Sequence, residues 1–170
     1  LAGAVLMLLA SLAAMRYLDT GRWRDAAVTG ALCGAAFGMV LPALLVFILL
    51  PAMAVLRADR WPRRIGIVLL AIAVGGAVYA VTNPYVPINA VFHRDLLRSN
   101  LGNSGRFYAV KDLPAGLWNA IRLTIEGAGP VFAIAGVIGW LLLHFSPPAL
   151  RKKLILLALP AVCVWLQSAL

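Results

Sequence analysis

Polar side chains that could bind a ligand concentrate in one part of this 170-residue chain, the segment 82–128. The other parts are mostly apolar, and functional side chains commonly lie on segments that connect such elements. We therefore predict the candidate site here. Its candidate residues are Asn83, Tyr85, Arg94, Arg98, Asn103 and Arg106.

The other reactive residue types do not form a known catalytic pattern. The chain has no P-loop, no Gly-x-Ser-x-Gly nucleophile motif and no His-Glu-x-x-His zinc motif. Cys33 and Cys163 lie in apolar runs without metal-ligand spacing, which favours small buried hydrophobic residues. His93 and His144 are isolated in the sequence, and His144 is expected only to cap a helix. We predict no metal site from these residues.

The composition indicates a membrane protein, because 63% of the residues are hydrophobic and only 12% are charged. A soluble domain carries about 25% charged residues. The apolar blocks approach the roughly 20 residues that a helix needs to cross a bilayer core. We predict a single all-α domain over 1–170, a polytopic transmembrane bundle of about six helices. The predicted helices are 1–15, 26–41, 43–56, 65–81, 129–145 and 154–170.

The apolar stretch 26–56 is predicted to be a short hairpin. A single helix of that length would extend about 46 Å, which is too long for one span without extreme tilt. Pro42 and Pro51 interrupt the stretch, so two helices meeting near 39–42 fit better.

The charge distribution favours the same hairpin and predicts the orientation. With a hairpin, ten basic residues fall on one side in three short connections, against five in 82–128. A single helix would give eight against seven, without a bias. The positive-inside rule then puts 82–128 and both chain ends outside the cytoplasm, with Trp23 and Trp61 as interface anchors. The ten residues are Arg16, Arg22, Arg24, Arg57, Arg60, Arg63, Arg64, Arg151, Lys152 and Lys153.

The net charge of +9 does not indicate nucleic-acid binding, since orientation explains two-thirds of the basic residues and no aromatic-basic binding motif accompanies them. Anionic membrane lipids are the expected partners of the inner basic residues.

The segment 82–128 is predicted to contain two amphipathic helices in the membrane interface, at 88–101 and 114–125. A glycine-rich turn at 102–105 would separate them. Within the bundle, Gly30, Gly34 and Gly38 recur every four residues, which predicts a helix face for close backbone packing.

The order of features resembles the GT-C superfamily of membrane glycosyltransferases, which includes protein O-mannosyltransferases and lipid A aminoarabinose transferases. The matching parts are 16–26 (RYLDTGRWRDA), the small-residue run through Gly38, 82–85 (TNPY) and 92–96 (FHRDL). The resemblance covers most of the chain and rests on hydrophobicity with a few polar residues. It implies transfer of a sugar from a polyprenyl-phosphate donor to an acceptor at the outer face of a bacterial inner membrane.

The resemblance also implies roles for the candidate residues. Arg94, Arg98 and Arg106 would bind the phosphate, for which arginine offers a two-pronged donor, whereas Asn83, Tyr85 and Asn103 would contact sugar hydroxyls. The polyprenyl-phosphate sugar donor is a substrate, and the resemblance implies no cofactor. The alternative for each arginine is a solvated charge or one that faces lipid headgroups.

Two features of the family pattern are missing. The family's catalytic Asp would lie upstream of Leu1, and we predict that this chain is part of a longer protein because both ends lie inside apolar runs. A Lys that many members carry near the hairpin is replaced by 37–42 (FGMVLP).

Two other functions stay open at this point, a transporter or flippase segment and a non-enzymatic membrane scaffold. A transporter would be expected to carry ionisable residues within its spans, and the predicted helix interiors contain no Asp, Glu, Lys or Arg.

Overall fold

The computed structural model describes residues 2–107 and 113–168, and this part of the chain contains helices and no strands. The predicted all-α class is confirmed. The helices are α1 (Ala2–Thr20), α2 (Trp23–Met39), a 3-10 helix (Leu41–Ile48), α3 (Leu49–Arg57), α4 (Trp61–Thr82), α5 (Tyr85–Phe92), α6 (Arg94–Phe107), α7 (Leu113–Ala128), α8 (Pro130–Phe145) and α9 (Pro148–Ser168).

The chain reverses direction within 26–56, the stretch where a hairpin was predicted. Helix α2 ends at Met39, and Val40 has an extended backbone (φ −149°, ψ 136°) that starts the reversal. The thiol of Cys33 then lies 3.7 Å from the carbonyl oxygen of Val46, so residues before and after the reversal face each other. The 3-10 helix and α3 form the return limb of this hairpin.

The glycine face of α2 packs against α4. A Cβ on Gly30 would overlap the backbone of Ala71, and one on Gly34 would overlap the backbone of Gly75. Four residues farther along α2, from Gly30 to Gly34, the contacted residue is also four residues farther along α4. The two helices α2 and α4 therefore run parallel. The predicted face for close backbone packing is confirmed.

The three basic connections meet at one end of the bundle, which we call the basic end. Arg57 donates a 2.6 Å hydrogen bond to the carbonyl oxygen of Leu18, and Arg63 donates a 2.8 Å bond to that of Gly21. Lys153 of α9 lies 2.7 Å from a carboxylate oxygen of Asp19. The predicted grouping of the basic residues on one side therefore agrees with the packing.

The segment 82–128 contains more helix than expected. The prediction of one helix at 88–101 is wrong, because His93 (φ −138°, ψ 61°) separates α5 from α6. The predicted turn at 102–105 is also wrong, since α6 continues to Phe107. A glycine costs a helix only about 1 kcal/mol relative to alanine, which is too little to end it by itself. The predicted helix at 114–125 is confirmed within α7.

Within residues 2–107 and 113–168, two helices are long and apolar enough to cross a membrane, α1 and α4, judged by length and composition. A core helix of a soluble protein can pass the same test when it is mostly buried. Here only 22% of the 18-residue apolar stretch of α1 and 17% of that of α4 are buried. Shorter apolar helices occupy Ala43–Arg57 and Ile134–Phe145.

Candidate functional site

A small pocket lies at the end of the bundle opposite to the basic end, and we call it the Asn83 pocket. It has a volume of about 180 Å³ and forms where the end of α2 meets the end of α4 and the start of α5. Its lining residues are Phe37, Gly38, Met39, Val40, Tyr79, Asn83 and Tyr85.

One side of the pocket is aromatic. The rings of Phe37 and Tyr79 stack with a centroid separation of 4.3 Å and an interplanar angle of 23°. Phe47 of the return limb meets Phe37 edge to face at 6.2 Å. Since contacts on both sides hold Phe37, the pocket has a fixed apolar surface on which a ligand could pack.

The amide of Asn83 is the best-positioned polar group in the pocket. The backbone N–H of Asn83 donates a 2.8 Å bond to the carbonyl oxygen of Tyr79 and so caps α4. Its side-chain Nδ2 lies 3.1 Å from the hydroxyl oxygen of Thr82. Within the described part of the chain, the side-chain oxygen of Asn83 has no hydrogen-bond partner, which leaves it able to accept a bond from a ligand hydroxyl.

Gly38 makes room for this amide. A Cβ at residue 38 would lie 2.6 Å from Nδ2 of Asn83 and 2.9 Å from the hydroxyl oxygen of Thr82. Gly30 and Gly34 contact the backbone of α4, whereas Gly38, the next glycine on the same face of α2, borders the Asn83 pocket.

Tyr85 begins α5 beside the pocket and is largely exposed. A phenol, an amide and two stacked rings are groups that can bind a small polyhydroxylated ligand, with the polar groups fixing its orientation. The structure thus brings together two of the six candidate residues, Asn83 and Tyr85.

The arginines lie elsewhere. Arg94 and Arg98 line a second cavity, of about 510 Å³, with Asp95 and Ser99 on α6. Among the residues that the structure describes, this cavity and the Asn83 pocket have no lining residue in common. Arg94 donates a 3.2 Å bond to the carbonyl oxygen of Ala90, and Asp95 forms no ion pair with Arg98.

The last two candidate residues lie farther along α6. Asn103 is exposed there. The backbone of Arg106 belongs to the same helix, and its side chain lies outside the described residues.

The aromatic side of the pocket was missed by reasoning from the sequence, although a usable signal was present. The predicted hairpin tip at 39–42 and the predicted end of a span at 81 both belonged to the same side of the bundle. Phe37 and Tyr79 follow from that placement, since each lies within one helical turn of those positions.

Metal-ligating residues do not gather in groups of three among the residues that the structure describes. Cys33 is buried, and its sulfur points to the backbone of Val46.

Comparisons with known proteins give no relatives: no family model, no curated protein sequence and no solved structure matches this chain.

Proposed function

We propose that this chain is part of a multi-pass membrane glycosyltransferase of the GT-C type. In this proposal, a sugar moves from a polyprenyl-phosphate donor to an acceptor at the non-cytoplasmic face of a bacterial inner membrane. The observation that carries the proposal is the Asn83 pocket, which combines stacked rings, an amide and a phenol at the end opposite to the basic residues.

The exposure of α8 supports a membrane setting for more of the chain than α1 and α4. All residues from 134 to 142 are exposed, on every side of this apolar helix. The accessible surface of the chain is 10994 Å², whereas a compact soluble protein of 18.1 kDa has about 8,100 Å². A helix that is apolar all round is stable when lipid or neighbouring helices cover it. We propose that α8 is one of about six spans.

The basic end supports the proposed orientation. Arginine and lysine accumulate in the cytoplasmic connections of membrane proteins, so the Asn83 pocket would face the opposite side. A lipid-linked sugar would present its polar headgroup at that level, with its polyprenyl chain among the helices.

The proposed reaction is direct substitution at the anomeric carbon. The acceptor oxygen forms a bond to that carbon while the bond to the phosphate oxygen breaks, which inverts the configuration. A carboxylate accepts the acceptor proton, and we expect it to come from a part of the protein that precedes Leu1. The departing phosphate keeps the electron pair, and Arg94, Arg98 and Arg106 are its proposed partners.

Asn83 and Tyr85 have a different role in this proposal. They would contact the sugar hydroxyls over the surface formed by Phe37 and Tyr79, together with Asn103 from α6. This separation of a sugar pocket from a phosphate region agrees with the two distinct cavities on this side of the chain.

The test is a binding measurement with the full-length protein in lipid nanodiscs. The probes are polyprenyl phosphate, polyprenyl-phosphate mannose and polyprenyl-phosphate arabinose. Asn83→Ala and Tyr85→Ala are expected to weaken binding of the sugar-bearing probe and leave the bare carrier unchanged. Asn119→Ala, an exposed asparagine on α7, is the matched control.

Three further variants address the phosphate. Replacing Arg94, Arg98 or Arg106 singly with Ala is expected to weaken binding of all three probes. Unchanged binding in every one of the five variants would overturn the glycosyltransferase proposal, and so would a full-length protein that binds none of the probes.

A further inference from the structure

A third cavity lies at the basic end, at the opposite end of the bundle from the Asn83 pocket. It has a volume of about 530 Å³ and forms where the α1–α2 connection meets the first turn of α4. We call it the arginine cleft. It is lined by Thr20, Gly21, Arg22, Trp23, Arg24 and Arg63.

The arginine cleft has an unbalanced positive charge. The acidic side chains of this end are already engaged: Asp19 with Lys153, Asp25 with Arg16, and Asp59 with Arg57 and Arg63. Across the described residues, Arg22 and Arg24 form no ion pair and no side-chain hydrogen bond. An anion that entered the cleft would therefore meet two uncompensated guanidinium groups.

The third arginine is held in place and still has donors to offer. Arg63 donates from one terminal nitrogen to the carbonyl oxygen of Gly21 at 2.8 Å, and its Nε lies 3.7 Å from a carboxylate oxygen of Asp59. A guanidinium carries five N–H donors, so these contacts leave several for a ligand. Phosphate is the anion whose geometry suits such a planar group.

The connection between α1 and α2, which lines the cleft, is held by backbone and side-chain contacts. Gly21 has a left-handed backbone (φ +64°) and closes the last turn of α1 with a 2.8 Å bond to the carbonyl oxygen of Tyr17. A Cβ at this position would overlap the guanidinium of Arg57.

Trp23 gives independent information about the depth of the cleft. Its ring lies over Gly66, where an added Cβ would be 3.0 Å from the ring edge, and 46% of the residue is exposed. Tryptophan concentrates at the level of lipid headgroups in membrane proteins. An exposed indole between two arginines therefore places the cleft where headgroup phosphates lie.

We propose that the arginine cleft binds the phosphate of an anionic membrane lipid, with Arg22, Arg24 and Arg63 as its ligands and Trp23 against the glycerol region. The proposal rests on the membrane setting proposed above and does not depend on the transferase reaction. It assigns a specific lipid site to a part of the chain that has no role in sugar transfer.

The experiment measures lipids retained by the full-length protein in native mass spectrometry. The protein is released from nanodiscs that contain phosphatidylglycerol and phosphatidylcholine, without any sugar donor. Wild-type protein is expected to retain phosphatidylglycerol preferentially. Arg22→Gln and Arg24→Gln are each expected to lower its retention about ten-fold or more, the effect of losing one hydrogen bond between charged groups.

Arg60→Gln is the matched control, because Arg60 is exposed at the same end and lies outside the cleft. It is expected to retain phosphatidylglycerol as the wild type does. Equal losses in Arg60→Gln and Arg24→Gln would overturn the proposal in favour of general attraction to a negative surface.

A second arm separates the lipid from soluble anions. Glycerol phosphate or inorganic phosphate is added before release, and retention of phosphatidylglycerol is expected to stay unchanged. Displacement of the lipid by either anion would assign the cleft to a soluble phosphate and overturn the lipid proposal. Since no donor is present, either result leaves the test of sugar transfer unaffected.

Discussion

Arg57 reaches across 39 residues of sequence to donate a hydrogen bond of 2.6 Å from its guanidinium to the carbonyl oxygen of Leu18. A second bond, of 3.2 Å, goes from the same nitrogen to the carbonyl oxygen of Tyr17. The carbonyl oxygen of Tyr17 also accepts the backbone N–H of Gly21, whereas that of Leu18 lies in the last turn of α1, where helical partners are missing. One side chain of the hairpin thus completes the end of a different helix.

Replacing Arg57 with Ala is expected to destabilise the bundle by about 1–3 kcal/mol, because buried carbonyl oxygens and Asp59 lose their charged donor. Arg57→Lys is expected to restore only part of this stability, since an ammonium cannot reproduce the planar fork. Unfolding of the purified protein in mild detergent by increasing denaturant measures both. Arg60→Ala is the control, and an equal effect there would contradict the assigned role.

Gly21→Ala is expected to cost about 1–2 kcal/mol for the left-handed backbone alone. The cost should rise further because the new methyl group overlaps the Arg57 guanidinium. Gly76→Ala in α4 is the comparison, since nothing lies within 4 Å of that position. That variant is expected to be stabilised by up to about 1 kcal/mol. The same unfolding measurement would refute the prediction if both variants behaved alike.

Gly34→Ala is expected to destabilise the α2–α4 contact by about 1–3 kcal/mol, as overpacking of a tight interface does. Its methyl group would overlap a backbone carbonyl, which cannot move unless the helices separate. Unfolding of this variant beside Gly76→Ala checks the prediction. Wild-type stability of Gly34→Ala would show that the two helices are less tightly packed.

Gly38→Ala is expected to act on binding more than on stability. The groups that it meets are the side-chain ends of Asn83 and Thr82, which can rotate away at little cost to the helices. Loss of one oriented hydrogen bond would weaken binding of the sugar-bearing donor roughly two- to ten-fold. Equilibrium binding and unfolding measured on the same sample separate the two effects. A large stability loss with unchanged binding would contradict this reading.

The proposed orientation predicts the sides from which single cysteines react. In a Cys163→Ser background, Arg60→Cys and Asn100→Cys both place a thiol at an exposed position. A maleimide that cannot cross membranes is expected to label Asn100→Cys in intact cells. Arg60→Cys is expected to react only after the cells are opened. Labelling of both from the same side would exclude the proposed topology.

The hairpin could be predicted from the sequence because it changes how many basic residues lie on each side of the bundle. A reversal at 39–42 places ten basic residues on the same side, in three connections between helices. The structure joins these connections through contacts of Arg57, Arg63 and Lys153. The glycine spacing in α2 was similarly informative, since a repeat of four residues defines one face without knowledge of its partner.

The Asn83 pocket could be predicted only in part. Asn83 and Tyr85 stand out as polar residues in an apolar chain, whereas Phe37 and Tyr79 look like ordinary membrane residues until α2 and α4 are set in register. That register depends on which glycine meets which backbone carbonyl. The glycines in 102–105 predicted a turn, whereas α6 continues through them, because each glycine costs a helix only about 1 kcal/mol.

The 3-10 helix at Leu41–Ile48 changes how far the return limb reaches. Its eight residues rise about 2.0 Å each, and the nine residues of α3 rise about 1.5 Å each, for a combined length of about 30 Å. An unbroken α-helix of the same residues would reach about 26 Å. The tighter winding therefore brings the length of the limb close to the thickness of a bilayer core. In the proposed membrane setting, this length avoids the hydrophobic mismatch that an α-helix of the same residues would create.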